Sequence, residues 1–239
     1  METKNFSING IPAVLWGKQS DKIYLYVHGM GGCKEEAEMF AGLAAARGWQ
    51  VLSVDLPEHG ERHTETGTFN PWHAVPELRQ VMAHAAGGRE RVALFANSIG
   101  AWFSMLAFTS APLDHCLFLS PILDMEKLIG NMMRFAGVTE ERLEREKVIP
   151  IDFGQPLSWE YLTYVRANPV NAWDKPTRIL YGGRDNLTDR RTVDGFVSRF
   201  GCELEVMENG EHWFHTPEQL EVLNTWMKDT LKLLPHRPR

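Results

Sequence analysis

Between Arg91 and Phe108 a short apolar strand turns directly into an apolar helix, with a serine at the corner. Val92, Ala93, Leu94 and Phe95 form a continuous apolar run, as in a strand buried on both faces. Ala96-Asn97-Ser98-Ile99-Gly100 follows, and then a helical apolar run from Ala101 to Phe108. A turn this sharp is expected to bring positions 96 and 100 together, so both must be small. It lifts the Ser98 hydroxyl clear of the backbone and sets it at a helix N-terminus, where developing negative charge is favoured. A serine that merely caps a buried helix would give the same five residues. The strand before and the helix after favour the exposed nucleophile.

The rest of the chain alternates in the same way. Asn9-Gly10, between runs at 4–8 and 11–16, predicts a β-hairpin. Residues 22–27 read as a strand that ends in His28-Gly29-Met30-Gly31-Gly32. Residues 35–47 read as an amphipathic helix closed by Gly48. A strand at 50–54 runs into Asp55-Leu56-Pro57-Glu58-His59-Gly60. Asn70-Pro71 opens a helix that Gly87-Gly88 ends. Further strands are expected at 115–119, 177–181 and 203–207, with a helix capped by Thr188 and running to Phe200 between the last two. Thr216-Pro217-Glu218-Gln219 predicts the start of the final helix, with Gln219 completing a capping box.

Such alternation implies an α/β fold with a mostly parallel sheet covered on both faces. Function in such folds sits at the carboxyl ends of the strands. His28 to Gly31, Asp55, Ser98, Asp124, Asp185 and His212 all fall there. Residues 1–123 and 174–239 are expected to form one core domain. Residues 124–173 are longer than a simple crossover and read as an insertion.

Five pieces carry a family resemblance: His28-Gly29-Met30-Gly31-Gly32, Asp55-Leu56-Pro57-Glu58-His59-Gly60, Ala96-Asn97-Ser98-Ile99-Gly100, Gly183-Arg184-Asp185 and Gly210-Glu211-His212. In this order, each at a strand end, they resemble the α/β-hydrolase superfamily over nearly the whole chain. Ala96 and Glu58 stand where that family often has glycine. The resemblance implies an α/β-hydrolase fold with 124–173 as a small helical lid. It also implies a catalytic triad of Ser98, Asp185 and His212. A serine hydroxyl needs a base to take its proton and an acid to orient that base. Asp124 is a positional rival for the acid and His215 for the base. The oxyanion hole is expected from the backbone N–H groups of Met30 and Ile99. Met132, Met133, Trp159 and Trp213 are candidates for the substrate pocket, with burial of the lid against the core as the competing role for its apolar residues. His28 reads as structural, and His59 and His63 as loop residues near the rim, solvated or, as the alternative, meeting substrate.

The activity so implied is cleavage of carboxylic esters of small to medium acyl groups through an acyl-enzyme on Ser98. A thioesterase, aminopeptidase or amidase would use the same residues. Ser98 departs from the haloalkane dehalogenase and epoxide hydrolase branches, which carry aspartate at that corner. A non-catalytic receptor of the same fold is the alternative of another class. Such proteins tend to lose a triad member, and this chain keeps all three candidates. The net charge of −6 argues against nucleic acid or an anionic membrane surface as the main partner; the resemblance implies a small-molecule ester or thioester. Three widely spaced cysteines form no disulfide framework and fit a reducing compartment. With no apolar signal-peptide core at the N-terminus and no membrane-length apolar run, the expected location is cytoplasmic. No cluster has metal-ligand spacing and no glycine-rich loop has the dinucleotide or phosphate form, so no metal or cofactor is expected. The basic end at 234–239 is expected to fray.

Overall fold

The computed structural model describes residues 1–233. Its first half comprises β1 (Thr3–Ile8), β2 (Ile11–Trp16), β3 (Lys22–Val27), α1 (Glu38–Ala45), β4 (Gln50–Val54), α2 (Pro71–Ala86), β5 (Arg91–Asn97), α3 (Ile99–Ala107) and β6 (Cys116–Leu119). Residues 124–173 follow, with α4 (Met125–Phe135), α5 (Glu140–Glu146), β7 (Val148–Ile149), β8 (Leu157–Ser158) and α6 (Trp159–Ala167). The chain then returns to the core through β9 (Thr177–Gly182), α7 (Arg190–Phe200), β10 (Glu203–Met207) and α8 (Pro217–Leu233).

Eight strands form one sheet in the order β1-β2-β4-β3-β5-β6-β9-β10. β2 is antiparallel to β1 and to β4, and every later pairing is parallel. Asn9 and Gly10 take φ of 51° and 90° at the hairpin, the handedness that a two-residue connection between twisted strands needs. Side chains alternate across the sheet. Tyr24, Tyr26, Ala93 and Phe95 meet Phe40 of α1 and Trp226 and Met227 of α8 on one face. Ile23, Leu25, Val27, Leu94 and Ala96 join Leu78 of α2, Phe103 of α3 and Ile129 of α4 on the other. Burying one large apolar side chain contributes about 1.5–3 kcal/mol. β3 and β5 gain this on both faces, which fixes them at the centre and puts their carboxyl ends side by side.

Three local expectations are corrected. The helix expected over 35–47 begins with a 3-10 turn at Lys34–Ala37 and is α-helical only over Glu38–Ala45. The sixth strand starts at Cys116, one residue late, although the His115 carbonyl already accepts from the Leu94 N–H of β5 (3.0 Å). Thr188 does not cap α7. Its hydroxyl donates to the Pro121 carbonyl (3.0 Å), and Asp189 takes the cap, accepting from the Thr192 N–H at 2.9 Å.

Between residues 124 and 173, Met125, Ile129, Met133, Leu143, Leu162 and Val165 are buried. Arg166 of α6 bridges Glu126 of α4 (2.7 Å) and Glu140 of α5 (2.6 Å), exposed pairs of the kind that add little. Among the described residues, no helix is long and apolar enough to cross a membrane. The end at 234–239, expected to fray, lies outside the described residues.

Candidate active site

The corner between β5 and α3 is strained. Ser98 holds φ 52° and ψ −122°, a region that costs a residue with a Cβ of order 1–3 kcal/mol. Three backbone bonds keep it there. The Ser98 N–H donates to the Leu119 carbonyl (3.0 Å), and the Ser98 carbonyl accepts from Ile122 and Ala101 (3.1 Å each). The crowding that demands glycine at 100 comes from β3, not from residue 96. A Cβ on Gly100 would lie 2.7 Å from the Val27 carbonyl oxygen and closer still to that of His28.

His212 reaches this corner from the loop after β10. The Ser98 hydroxyl lies 2.8 Å from His212 Nε2, and His212 Nδ1 lies 2.7 Å from Asp185 Oδ2. A carboxylate facing Nδ1 places the proton there, so Nδ1–H donates to Asp185 and Nε2 is free to accept from Ser98. The Asp185 side chain is fully buried. Its second oxygen, Oδ1, accepts from the N–H groups of Leu187 (2.8 Å) and Thr188 (2.9 Å). The loops carrying Asp185 and His212 touch backbone to backbone. Gly183 N–H donates to Met207 and Arg184 N–H to Gly210, both at 2.8 Å. A Cβ on Gly182 would lie 2.4 Å from the Glu211 carbonyl oxygen, so only glycine fits there.

The rivals lie elsewhere. Asp124 is exposed and caps α4, accepting from the Lys127 N–H (2.9 Å). His215 stacks on Trp213 and hydrogen-bonds its carbonyl (2.8 Å).

The loop 28–34 runs directly beside the serine, and a Cβ on Gly29 would stand 3.0 Å from that of Ser98. The N–H groups of Met30 and Ile99 make no hydrogen bond among the described residues. The neighbouring loop at 55–61 clamps this segment. His28 accepts from the Leu56 N–H at Nε2 (3.0 Å), and its Nδ1–H donates to the Gly29 carbonyl (2.7 Å). Burial pushes the His28 imidazole down to about 4, so it is neutral. Asp55, fully buried, accepts from Lys34 N–H (2.8 Å), Lys34 Nζ (3.0 Å) and Glu61 N–H (3.0 Å). Burial pulls the Lys34 ammonium down, but Glu61, Glu35 and Asp55 outweigh it and hold the lysine well above its ordinary value. His59 is no free rim residue. Its Nε2 accepts from the Gly31 N–H (2.9 Å), and its Nδ1–H donates to Pro57 (2.7 Å). His63 is exposed, with Nδ1 3.0 Å from the Gly60 carbonyl oxygen.

The pocket candidates are dispersed. Trp213, beside His212, is 71 % exposed. Met133 is buried and lines a cleft of about 330 Å³ between α4, α5 and α6, with Glu126, Leu162 and Arg166. Met132 lies in the insertion against Gly154, and Trp159 is half-buried against the main core. Gln155, in the loop between β7 and β8, lies 3.9 Å from the Met30 sulfur, so this loop reaches the one beside Ser98. Sequence reasoning missed the parts played by Thr188 and His59. The Asp55-to-Gly60 run drew attention to His59, but no spacing shows which backbone group an imidazole meets.

The fold and the arrangement at its strand ends define a hydrolase-type α/β protein. The chain belongs to the alpha/beta hydrolase family, whose model matches residues 24–225. No curated protein matches it by sequence. It is similar in structure to Est1E from Butyrivibrio proteoclasticus, solved with ferulic acid bound, at 18% identity and a TM-score of 0.75 over 96% of this chain and 98% of that one. It is similar also to alpha/beta hydrolase domain-containing protein 10 from mouse, at 12% identity and a TM-score of 0.76 over 98% and 100% of the two chains. A soluble variant of monoglyceride lipase from Saccharomyces cerevisiae aligns at 13% identity and a TM-score of 0.64, over 97% and 94%.

Proposed function

We propose that this protein is a serine hydrolase that cleaves carboxylic esters of small to medium acyl groups. The observation that carries the reading is the unbroken hydrogen-bonded series Ser98–His212–Asp185, with lengths of 2.8 and 2.7 Å. Ser98 Oγ attacks the ester carbonyl carbon as its proton passes to His212 Nε2. The resulting oxyanion is received by the N–H groups of Met30 and Ile99, each such donor being worth roughly 3–4 kcal/mol in the transition state. Collapse releases the alcohol, which takes the proton from Nε2 and leaves the acyl group on Ser98. Water then gives a proton to Nε2, attacks the acyl carbon and frees the acid, and Ser98 recovers its proton. Asp185 holds the tautomer throughout and stabilises the imidazolium that forms.

Residues 124–173 act in this reading as a lid, and Trp213, Met132, Met133 and Trp159 as candidates for the acyl-binding wall. The contact between Gln155 and Met30 supports the lid. The exposure of Trp213 beside the base supports its part in the wall. The three free cysteines support a reducing, cytoplasmic setting.

The test is labelling with a fluorophosphonate probe, followed by a panel of p-nitrophenyl esters, thioesters and aminoacyl amides. Labelling of the natural protein, none of Ser98→Ala, and turnover favouring esters are expected. A well-folded natural protein that neither labels nor turns over any substrate overturns the hydrolase reading in favour of a binding module. Preference for thioesters or amides replaces the bond type alone.

A further inference from the structure

Met30 has glycine on both sides, and Gly31 takes φ 78°. Nothing intrinsic to such a stretch keeps its peptide planes from rotating. Each plane is nevertheless held. In a trans peptide the C=O and N–H point in opposite directions, so fixing one fixes the other. The Gly29 carbonyl accepts from His28 Nδ1–H (2.7 Å) and from the Gly32 N–H (3.2 Å), which sets the plane that carries the Met30 N–H. The next plane, Met30 to Gly31, has one anchor among the described residues: the Gly31 N–H donates to His59 Nε2 at 2.9 Å.

We infer that His59 is a positioning residue: by anchoring the Gly31 amide it fixes the plane that follows the Met30 N–H, and so, with His28 and Gly32 fixing the plane before, it keeps the loop that bears this N–H in place beside the reacting carbonyl. The inference rests on the serine-hydrolase reading and names a device that serves its oxyanion site. His59 is well placed for the task. Its ring is wedged against Phe69, with centroids 4.5 Å apart, and against His28 at 5.2 Å. Its Nδ1–H is spent on Pro57, which leaves Nε2 as an acceptor only. The adjoining Glu58 carboxylate is turned away, accepting from the Thr68 and Phe69 N–H groups. The two loops thus exchange imidazoles. His28 of the first accepts a backbone N–H of the second, and His59 of the second accepts one of the first.

Two measurements test this. In the first, His59→Phe keeps a ring against Phe69 and loses the acceptor, whereas His59→Gln carries an oxygen able to reach the Nε2 position. For a p-nitrophenyl ester turned over by the natural protein, His59→Phe is expected to lower kcat roughly tenfold or more with KM within about twofold, a part of the 10²–10³ lost when an oxyanion donor is removed. It should weaken a boronic acid, which forms a tetrahedral adduct on serine, by a similar factor. His59→Gln should restore most of both. A folded His59→Phe variant with kcat within twofold of natural, or a folded Gln variant no better than Phe, overturns the assignment. The second measurement uses the natural protein and needs no substrate. Imidazole nitrogen NMR should find His59 in the Nδ1–H tautomer with Nε2 accepting, and an Nε2–H tautomer would refute the anchor even if His59→Phe did not fold. Failure of the natural protein to label at Ser98 sinks the hydrolase reading. Normal labelling with an unaffected His59→Phe sinks only the anchor.

Discussion

The Cβ that Gly100 lacks would lie 2.4 Å from the carbonyl oxygen of His28. The helix after the nucleophile candidate and the loop of the candidate oxyanion donor therefore meet backbone to backbone. Gly100→Ala must push α3 away from the end of β3. It is expected to cost about 1–3 kcal/mol of stability, as overpacking does, and to cut ester turnover more than tenfold by parting Ser98 from Met30. Urea denaturation and steady-state kinetics measure the two effects, and a variant as active and stable as the natural protein would contradict the contact.

Asp185 and Asp124 separate cleanly by substitution. Asp185→Asn leaves a neutral amide against His212 Nδ1, and turnover should fall about 10³–10⁴-fold. Asp124→Asn exchanges one good helix cap for another and should leave turnover within about twofold. The reverse ranking in ester kinetics would move the acid to Asp124.

Thr188 closes a ring of bonds around the site. Its hydroxyl donates to Pro121, its N–H to Asp185, and Asp185 connects through His212 to Ser98, whose carbonyl accepts from Ile122. Thr188→Val leaves the buried Pro121 carbonyl without its partner, at a cost of about 1–3 kcal/mol. The acid turn loses its tie to the segment after β6, so kcat should fall several-fold with KM little changed. Thr188→Ser should recover both, and thermal melts with kinetics check it.

Acid should weaken the fold before the carboxylates titrate. Burial holds His28 near a pKa of about 4, against about 6.5 in an unfolded chain. Between those values the unfolded state binds more protons, so stability falls as pH drops from about 6.5 to about 4, by roughly 3 kcal/mol for this residue. Burial also lowers His115, which adds in the same direction. Asp114 is held far below its ordinary value, first by its bond to His115 despite partial burial, and by Arg91. Its contribution is present above about pH 3.9 and is lost only below it. Denaturant midpoints that stay flat from pH 6.5 to 4 would refute a neutral, buried His28.

Periodicity and punctuation made most of the fold legible. The runs at Lys22–Val27, Gln50–Val54 and Glu203–Met207 are strands with the expected ends, because short apolar runs, or in the last case alternation, between glycines or polar turns leave little choice. What local pattern could not supply was the partner of each polar group. Thr188 looked like a cap because it precedes a helix, yet a carbonyl far away in sequence claimed its hydroxyl. His59 reads as solvated from its place in a loop near the rim. The candidate site residues read as types at strand ends, and their order is what the resemblance implies. The anchoring of Gly31 and of the acid turn depends on loops meeting in space, which no local spacing encodes.

The left-handed corner at Ser98 has a consequence for how the protein ages. A hydroxyl-bearing residue is lodged where glycine would rest at ease, so erasing the reactive group should toughen the molecule. Ser98→Gly is expected to melt later than the natural protein, the relief of about 1–3 kcal/mol of backbone strain outweighing the roughly 0.5–1 kcal/mol of chain freedom that glycine adds when unfolded. Scanning calorimetry of the pair would then show durability and reactivity traded against each other at a single backbone position.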